Sequence, residues 1–158
     1  MRMGSLMKII VIAAACIFTA SAAFAHVVVA PQQSQPAASQ IYKVRVHNEE
    51  KIGTTSIELD VPDGVTVTAV APVTGGKFSS AKSGDRIVKV TWDLTIAAGK
   101  YVELAFTATN PSKATQVTWI VHQHMADGSV LDWSDKAGAH GKASTTKIIA
   151  ADPPAPAK

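Results

Sequence analysis

Cysteine is nearly absent. The 158 residues contain one, Cys16, inside a short apolar run near the N-terminus. If that run is removed on export, the remainder has no disulfide, no thiolate metal site and no cysteine nucleophile, and the Cys-ligated blue-copper centre is excluded. Charge is scarce as well: charged residues make up 17% of the chain, and the formal net charge is +3. Arg2 and Lys8 supply two of those charges in a segment without Asp or Glu. The rest is almost neutral, which leaves no electrostatic footprint for nucleic acid or an anionic membrane. There is no Gly-x-Ser-x-Gly elbow and no Gly-rich phosphate loop between a strand and a helix, so hydrolase and nucleotide-binding readings lack support. What is present is a 47% hydrophobic fraction in a length that suits one domain with a real core.

The first residues carry an address. Arg2 and Lys8 form a basic start, Ile9–Thr19 a short apolar run, and Ala23-Phe24-Ala25 a small-x-small cleavage site. That layout predicts a secretory signal peptide over residues 1–25, cut after Ala25. The run is shorter than the roughly 18–20 residues that cross a bilayer. The expectation is a periplasmic or secreted protein with no membrane anchor after cleavage. Residues 26–150 form the domain, and 151–158 a disordered Pro/Ala tail (ADPPAPAK).

Beyond residue 26 the chain is a series of short alternating runs rich in Val, Ile, Thr and aromatics. Strands are predicted over 27–30, 40–47, 54–61, 65–71, 86–95, 101–109, 116–125, 129–133 and 145–150. Turn formers such as Pro62-Asp63-Gly64, Thr74-Gly75-Gly76 and Asp127-Gly128 separate them. Residues 32–39 read as a polar connector, and no segment shows a sustained helical period. Many strands at regular spacing point to an all-β sandwich. Alternation puts Tyr42, Val44 and Val46 on one face, opposite Lys43, Arg45 and His47. It likewise puts Val117, Trp119 and Val121 opposite Thr118, Ile120, His122 and His124.

His26 is the most informative residue, because the predicted cut makes it the mature N-terminus. A free α-amine and an imidazole on one residue can close a chelate ring on one metal ion. With unperturbed pKa values of about 7.7–8.0 and about 6.5, neither proton is hard to displace near neutrality. Nitrogen donors with some carboxylate suit Cu(II), which heads the affinity order of divalent first-row metals. The bland alternative is a histidine that merely follows a cleavage site. Two further clusters draw notice. One is Asn48-Glu49-Glu50 at a strand end, where a carboxylate is most often a solvated loop residue. The other is Asp132-Trp133 after the Asp127-Gly128 turn, where a tryptophan is most often core.

The ordered set HVVVAP, YKVRVHNEEKIGTTSIELDVPDGV, VTWD and DGSVLDW closely resembles the YcnI-like copper-binding domain family over nearly all of residues 26–134. The resemblance implies an exported single domain, a cupredoxin/immunoglobulin-like β-sandwich. It also implies a Cu(II) site in which the N-terminal histidine chelates through amine and imidazole, a glutamate completes the inner ligands, and a tryptophan lies against the metal. Carried over, these are His26, Glu49 and Trp133. Glu49 is preferred to Glu50 because the family's glutamate directly follows the position filled here by Asn48. The chain departs from the pattern at His47, where the family often has proline, and at His122-Gln123-His124-Met125, where Gln-Tyr is common.

Those departures put extra histidines into play. His122 and His124 are two apart on a strand and point the same way, and His47 precedes Glu49 by two, so these three form a candidate secondary metal set. The competing reading is that they are solvent-facing residues on a polar sandwich surface. His140, in the Gly-rich stretch 138–141, reads as a loop histidine. The expected role is non-enzymatic: a protein whose partner is the copper ion, for trafficking or buffering, with another periplasmic or membrane copper-handling protein as its counterpart. Two alternatives stay open. One is a copper monooxygenase braced by the N-terminal histidine and a second one, for which the chain is short and its aromatics few. The other is a metal-free secreted interaction module.

Overall fold

The computed structural model describes residues 27–151. The predicted signal peptide, His26 and most of the predicted tail lie outside the described residues. Eleven strands follow one another: β1 (Val27–Ala30), β2 (Gln33–Ser34), β3 (Ser39–His47), β4 (Thr54–Asp60), β5 (Thr66–Val70), β6 (Gly76–Ser83), β7 (Arg86–Ile96), β8 (Tyr101–Thr109), β9 (Thr115–Met125), β10 (Val130–Trp133) and β11 (Ser144–Ile148). Among the described residues there is no helix. One sheet has the order β1-β3-β8-β5 and the other β2-β11-β9-β4-β7-β6, with β10 pairing on β9. The result is an all-β sandwich of two sheets.

Alternation explains why these sequences form these layers. In β3, Tyr42, Val44 and Val46 are fully buried while Lys43, Arg45 and His47 are exposed. In β9, Val117, Trp119 and Val121 face inward. Four rings fill the middle. Tyr42 lies against Phe106 and Trp119 with centroids 5.5 and 4.9 Å away, and Phe106 meets Trp119 edge-on at 5.6 Å and Trp92 at 6.4 Å. Such offset and edge contacts add to the burial of apolar area, about 0.5–1.5 kcal/mol per pair. The outer face of the smaller sheet is a charged ladder instead. There Lys43 bonds Glu103 at 2.9 Å, with Tyr101 and Arg45 alongside, and together they hold the Glu103 carboxyl at a pKa of about 2.

Two strands were not expected. β2 falls inside the stretch read as a polar connector and pairs parallel with β11 over only two residues. β6 lies where the sequence offered a Gly-Gly turn and little more. All eight of its residues, GKFSSAKS, are exposed. A strand with neither face buried carries no alternation to read, and this one is held by its ladder to β7 at the sheet edge.

The far end of the sandwich from β10 is closed by a buried polar cluster. Tyr42 donates its hydroxyl to Asn110 Oδ1 at 2.6 Å, and Asn110 Nδ2 donates to Ser34 Oγ and the Gln35 carbonyl, both at 2.8 Å. Tyr42→Phe keeps the ring but leaves Asn110 Oδ1 short of its donor. Urea denaturation should show a loss of about 1–2 kcal/mol with an unchanged m-value.

Candidate metal centre

At the end of β3 the chain turns on a buried asparagine. Asn48 donates its backbone N–H to the Lys100 carbonyl (2.9 Å) and accepts from Gly99 N–H (2.7 Å). Its side-chain amide donates to the carbonyls of Ile52 (2.8 Å) and Ile96 (2.9 Å), and its Oδ1 accepts from Glu50 N–H at 3.2 Å. A side chain with donors and acceptor all engaged is a fixed post. It holds the loop that presents Glu49 and Glu50. His47 Nδ1 lies 3.3 Å from Glu49 Oε1.

The opposite wall comes from β9 and β10. Gln123 occupies an inward position of β9, buried to 1% exposure. Its amide donates to Thr54 Oγ1 at 2.7 Å, and its Oε1 accepts from Trp133 Nε1 at 3.3 Å. That bond sets the orientation of the indole. The loop after β10 then folds back over Trp133. His140 and Gly141 both donate backbone N–H to the Asp132 carbonyl (2.8 and 3.2 Å), and Ser134 N–H returns to Gly141 O at 3.0 Å. Gly141 lies so close to the Trp133 ring that a Cβ there would run into it. The His140 ring stands edge-on to the indole, centroids 5.0 Å apart, and its Nε2 is 3.7 Å from Glu50 Oε1.

His47, Glu49, Glu50, Gln123, Leu131, Trp133 and His140 therefore line one cavity of about 30 Å³. That is far below the roughly 300–1,000 Å³ of small-molecule sites and fits an ion with its ligand water. The donor set, imidazole nitrogen and carboxylate oxygen without thiolate, suits a divalent first-row cation. Of the residues singled out in the sequence, Glu49 and Trp133 line this cavity and His47 joins them. His26 is outside the described residues. The first described residue, Val27, pairs with Val46, next to His47.

Sequence reasoning set Glu50 aside in favour of Glu49, read His140 as a loop histidine and gave Gln123 no role. Gln123 did leave a signal: an amide at an inward position of an otherwise apolar series, Val117, Trp119, Val121, Met125. A buried amide demands partners, and here they are Thr54 and Trp133. His140 left none, since its approach to Trp133 depends on the return of a loop.

His122 and His124 lie elsewhere, on the outer face of the larger sheet, so they do not share a site with His47. His122 sits between two carboxylates, with Nδ1 2.5 Å from Asp132 Oδ1 and Nε2 3.1 Å from Asp60 Oδ2. Partial burial pulls its pKa down, but hydrogen bonds and attraction from Asp132 and Asp60 outweigh it, leaving the pKa raised above 6.5.

The family described as a domain of unknown function, DUF1775, matches residues 26–157. The chain belongs to that YcnI-like family. It is 35% identical over 137 residues to the copper-binding protein CutI of Bacillus subtilis (strain 168), a match that covers 85% of this chain and 67% of CutI. Family membership thus agrees with what the sequence motifs implied. Among solved structures, an uncharacterized protein from Nocardia farcinica with an immunoglobulin-like fold superposes with a TM-score of 0.66 at 19% identity, over 78% of this chain and 97% of that one. A non-cellulosomal cohesin from Archaeoglobus fulgidus gives 0.52 at 14% identity, over 80% and 91%. At such identities the likeness concerns the fold, which is immunoglobulin-like.

Two outcomes follow from this geometry. Gly141→Ala should push the Trp133 ring out of place, costing about 1–3 kcal/mol in denaturant melts and shifting the tryptophan emission. His122, with its folded pKa above its unfolded one, stabilises fully below about pH 6.5, and that contribution is lost as pH rises through the folded value. In metal-free buffer, Asp132→Asn should flatten the fall in Tm across that window.

Proposed function

We propose that the protein is exported, is cut after Ala25, and holds Cu(II) at its new N-terminus. His26 would bind through its α-amine and imidazole and Glu49 through its carboxylate, with Trp133 as the wall against the ion. The role is copper trafficking or buffering in the periplasm or outside the cell. The observation that carries this reading is the convergence of Glu49 and Trp133 on one ion-sized cavity. Their positions are 84 apart in the sequence, and separate elements bring them together. The start of β1 supports it: Val27, the first described residue, pairs with Val46, next to His47. The copper-binding name of the B. subtilis relative supports the choice of metal.

On this reading the chain's own residues do separable work. The amine of His26 exists only after cleavage, so metal competence would arise with export. The bond from Trp133 Nε1 to Gln123 keeps the indole N–H occupied and presents the ring as a hydrophobic wall. His47 Nδ1 stands 3.3 Å from Glu49 Oε1 and His140 Nε2 3.7 Å from Glu50 Oε1, so each carboxylate at the cavity has an imidazole beside it. Nothing in this role requires a reaction, and the relative's name is that of a binding protein rather than an enzyme.

The test is Cu(II) titration with EPR on protein beginning at His26, beside a form carrying one extra N-terminal residue. One-to-one binding should weaken on the order of 100-fold on extension, because the amine is then an amide. Glu49→Gln should weaken it about tenfold or more. Equal binding by extended and unextended forms would remove the amine from the ligand set.

A further inference from the structure

The outer face of the larger sheet carries a second group of ligand-type side chains, back to back with the cavity. In the register, Glu58 of β4 lies opposite His122 of β9, and His122 lies opposite Asp132 of β10. Asp60, two residues on from Glu58, points to the same face and pairs with Lys89 of β7. Ligand atoms of Glu58, Asp60 and His122 all lie within 4.8 Å of one another. Asp132 stands on the far nitrogen of the imidazole, Oδ1 against Nδ1 at 2.5 Å.

We propose that Glu58, Asp60 and His122 form a second divalent-cation site, for Zn(II) or an ion of the same nitrogen- and oxygen-seeking class, with His122 binding through Nε2. The argument has three parts. With Nδ1 held against Asp132, Nε2 is the nitrogen that faces Asp60, and an ion there would replace the Nε2 proton while Asp132 keeps the Nδ1–H, the carboxylate–histidine–metal arrangement that fixes tautomer and raises ligand basicity. The donors are one imidazole and two carboxylates, a set Zn(II) takes at about 2.0–2.2 Å per bond. Their exposures, 21% for His122, 22% for Glu58 and 38% for Asp60, leave access for an ion and freedom to close around it.

The ion pairs point the same way. Glu58 and Asp60 share Lys89, whose Nζ is 2.6 Å from Glu58 Oε1 and 3.7 Å from Asp60 Oδ1, while Asp132 pairs with His122. Lys89 holds the place of the metal. Its side chain is 38% exposed and sits on a flexible stem, so a divalent ion can displace it into solvent. Lys89 is then a built-in competitor, and its removal should strengthen binding. A purely structural ion-pair cluster would show the opposite, with no gain for any metal.

The experiment uses the exported protein carrying Glu49→Gln, so that a failure at the cavity and a failure here read separately. Zn(II) is titrated by calorimetry, and the histidine ring nitrogens are followed by 15N NMR. The expected result is one equivalent of Zn(II), with a shift of His122 Nε2 while Nδ1 keeps its proton. Asp132→Asn should weaken binding about 10–100-fold, and Lys89→Met should tighten it about tenfold. His122→Gln should abolish it. An unmoved His122 Nε2 at saturating Zn(II), or unchanged affinity in Lys89→Met, would overturn the proposal, and neither readout depends on how His122→Gln folds.

Discussion

Consecutive side chains on a β-strand leave on opposite faces, and the chemistry of this protein hangs on that constraint at β9 and β10. The antiparallel register sets His122 against Asp132 and Val121 against Trp133. One residue along each strand, the environment inverts. Gln123 and Trp133 point into the end of the core and are hydrogen-bonded to each other, while His122 and Asp132 point to solvent and pair there. A single hairpin thereby contributes to the cavity on one face and to the His122 cluster on the other, and the two share a backbone and no side chain. A slip of one residue would put an imidazole and a carboxylate into the apolar interior and expel the indole.

The cavity owes its position to where the alternation stops. Among the described residues the inward side chains are apolar or hydrogen-bonded, save the buried indole N–H of Trp92, and the cavity's polar groups gather where strands end and loops begin. Asn48 makes that end rigid. Its amide takes up carbonyls from its own loop and from the end of β7, so the Glu49–Glu50 segment is anchored to a neighbouring strand. Trp133 is fixed from the other side by Gln123 and by the close backbone of Gly141. Both walls are held by buried hydrogen bonds, which keeps the cavity's shape fixed.

Most of the sandwich was legible in the sequence because strands buried on one face write their burial as a two-residue period. Tyr42, Val44 and Val46, or Val117, Trp119 and Val121, could be assigned inward from spacing alone, and the structure buries them. β6 escaped because nothing along GKFSSAKS is buried, and β2 because two residues carry no period. For the cavity, Glu49 and Trp133 were marked by motif resemblance and His47 by its spacing from Glu49, whereas His140 was read as a loop histidine and Gln123 was given no role. Gln123 was detectable in principle as a polar residue in an apolar series.

The sequence by itself determined the class of fold, the inward and outward halves of the long strands and the family motifs. These are properties of composition and of neighbours one or two residues apart. Only the tertiary structure decided which chemical groups share a space. It separated His122 from His47, although both are outward histidines on long strands, because they belong to different sheets. It joined His122 to Asp60 and Asp132 across three strands, and His140 to Trp133 through a returning loop. Strand order and loop closure depend on packing between residues tens of positions apart, and a local period carries no record of them.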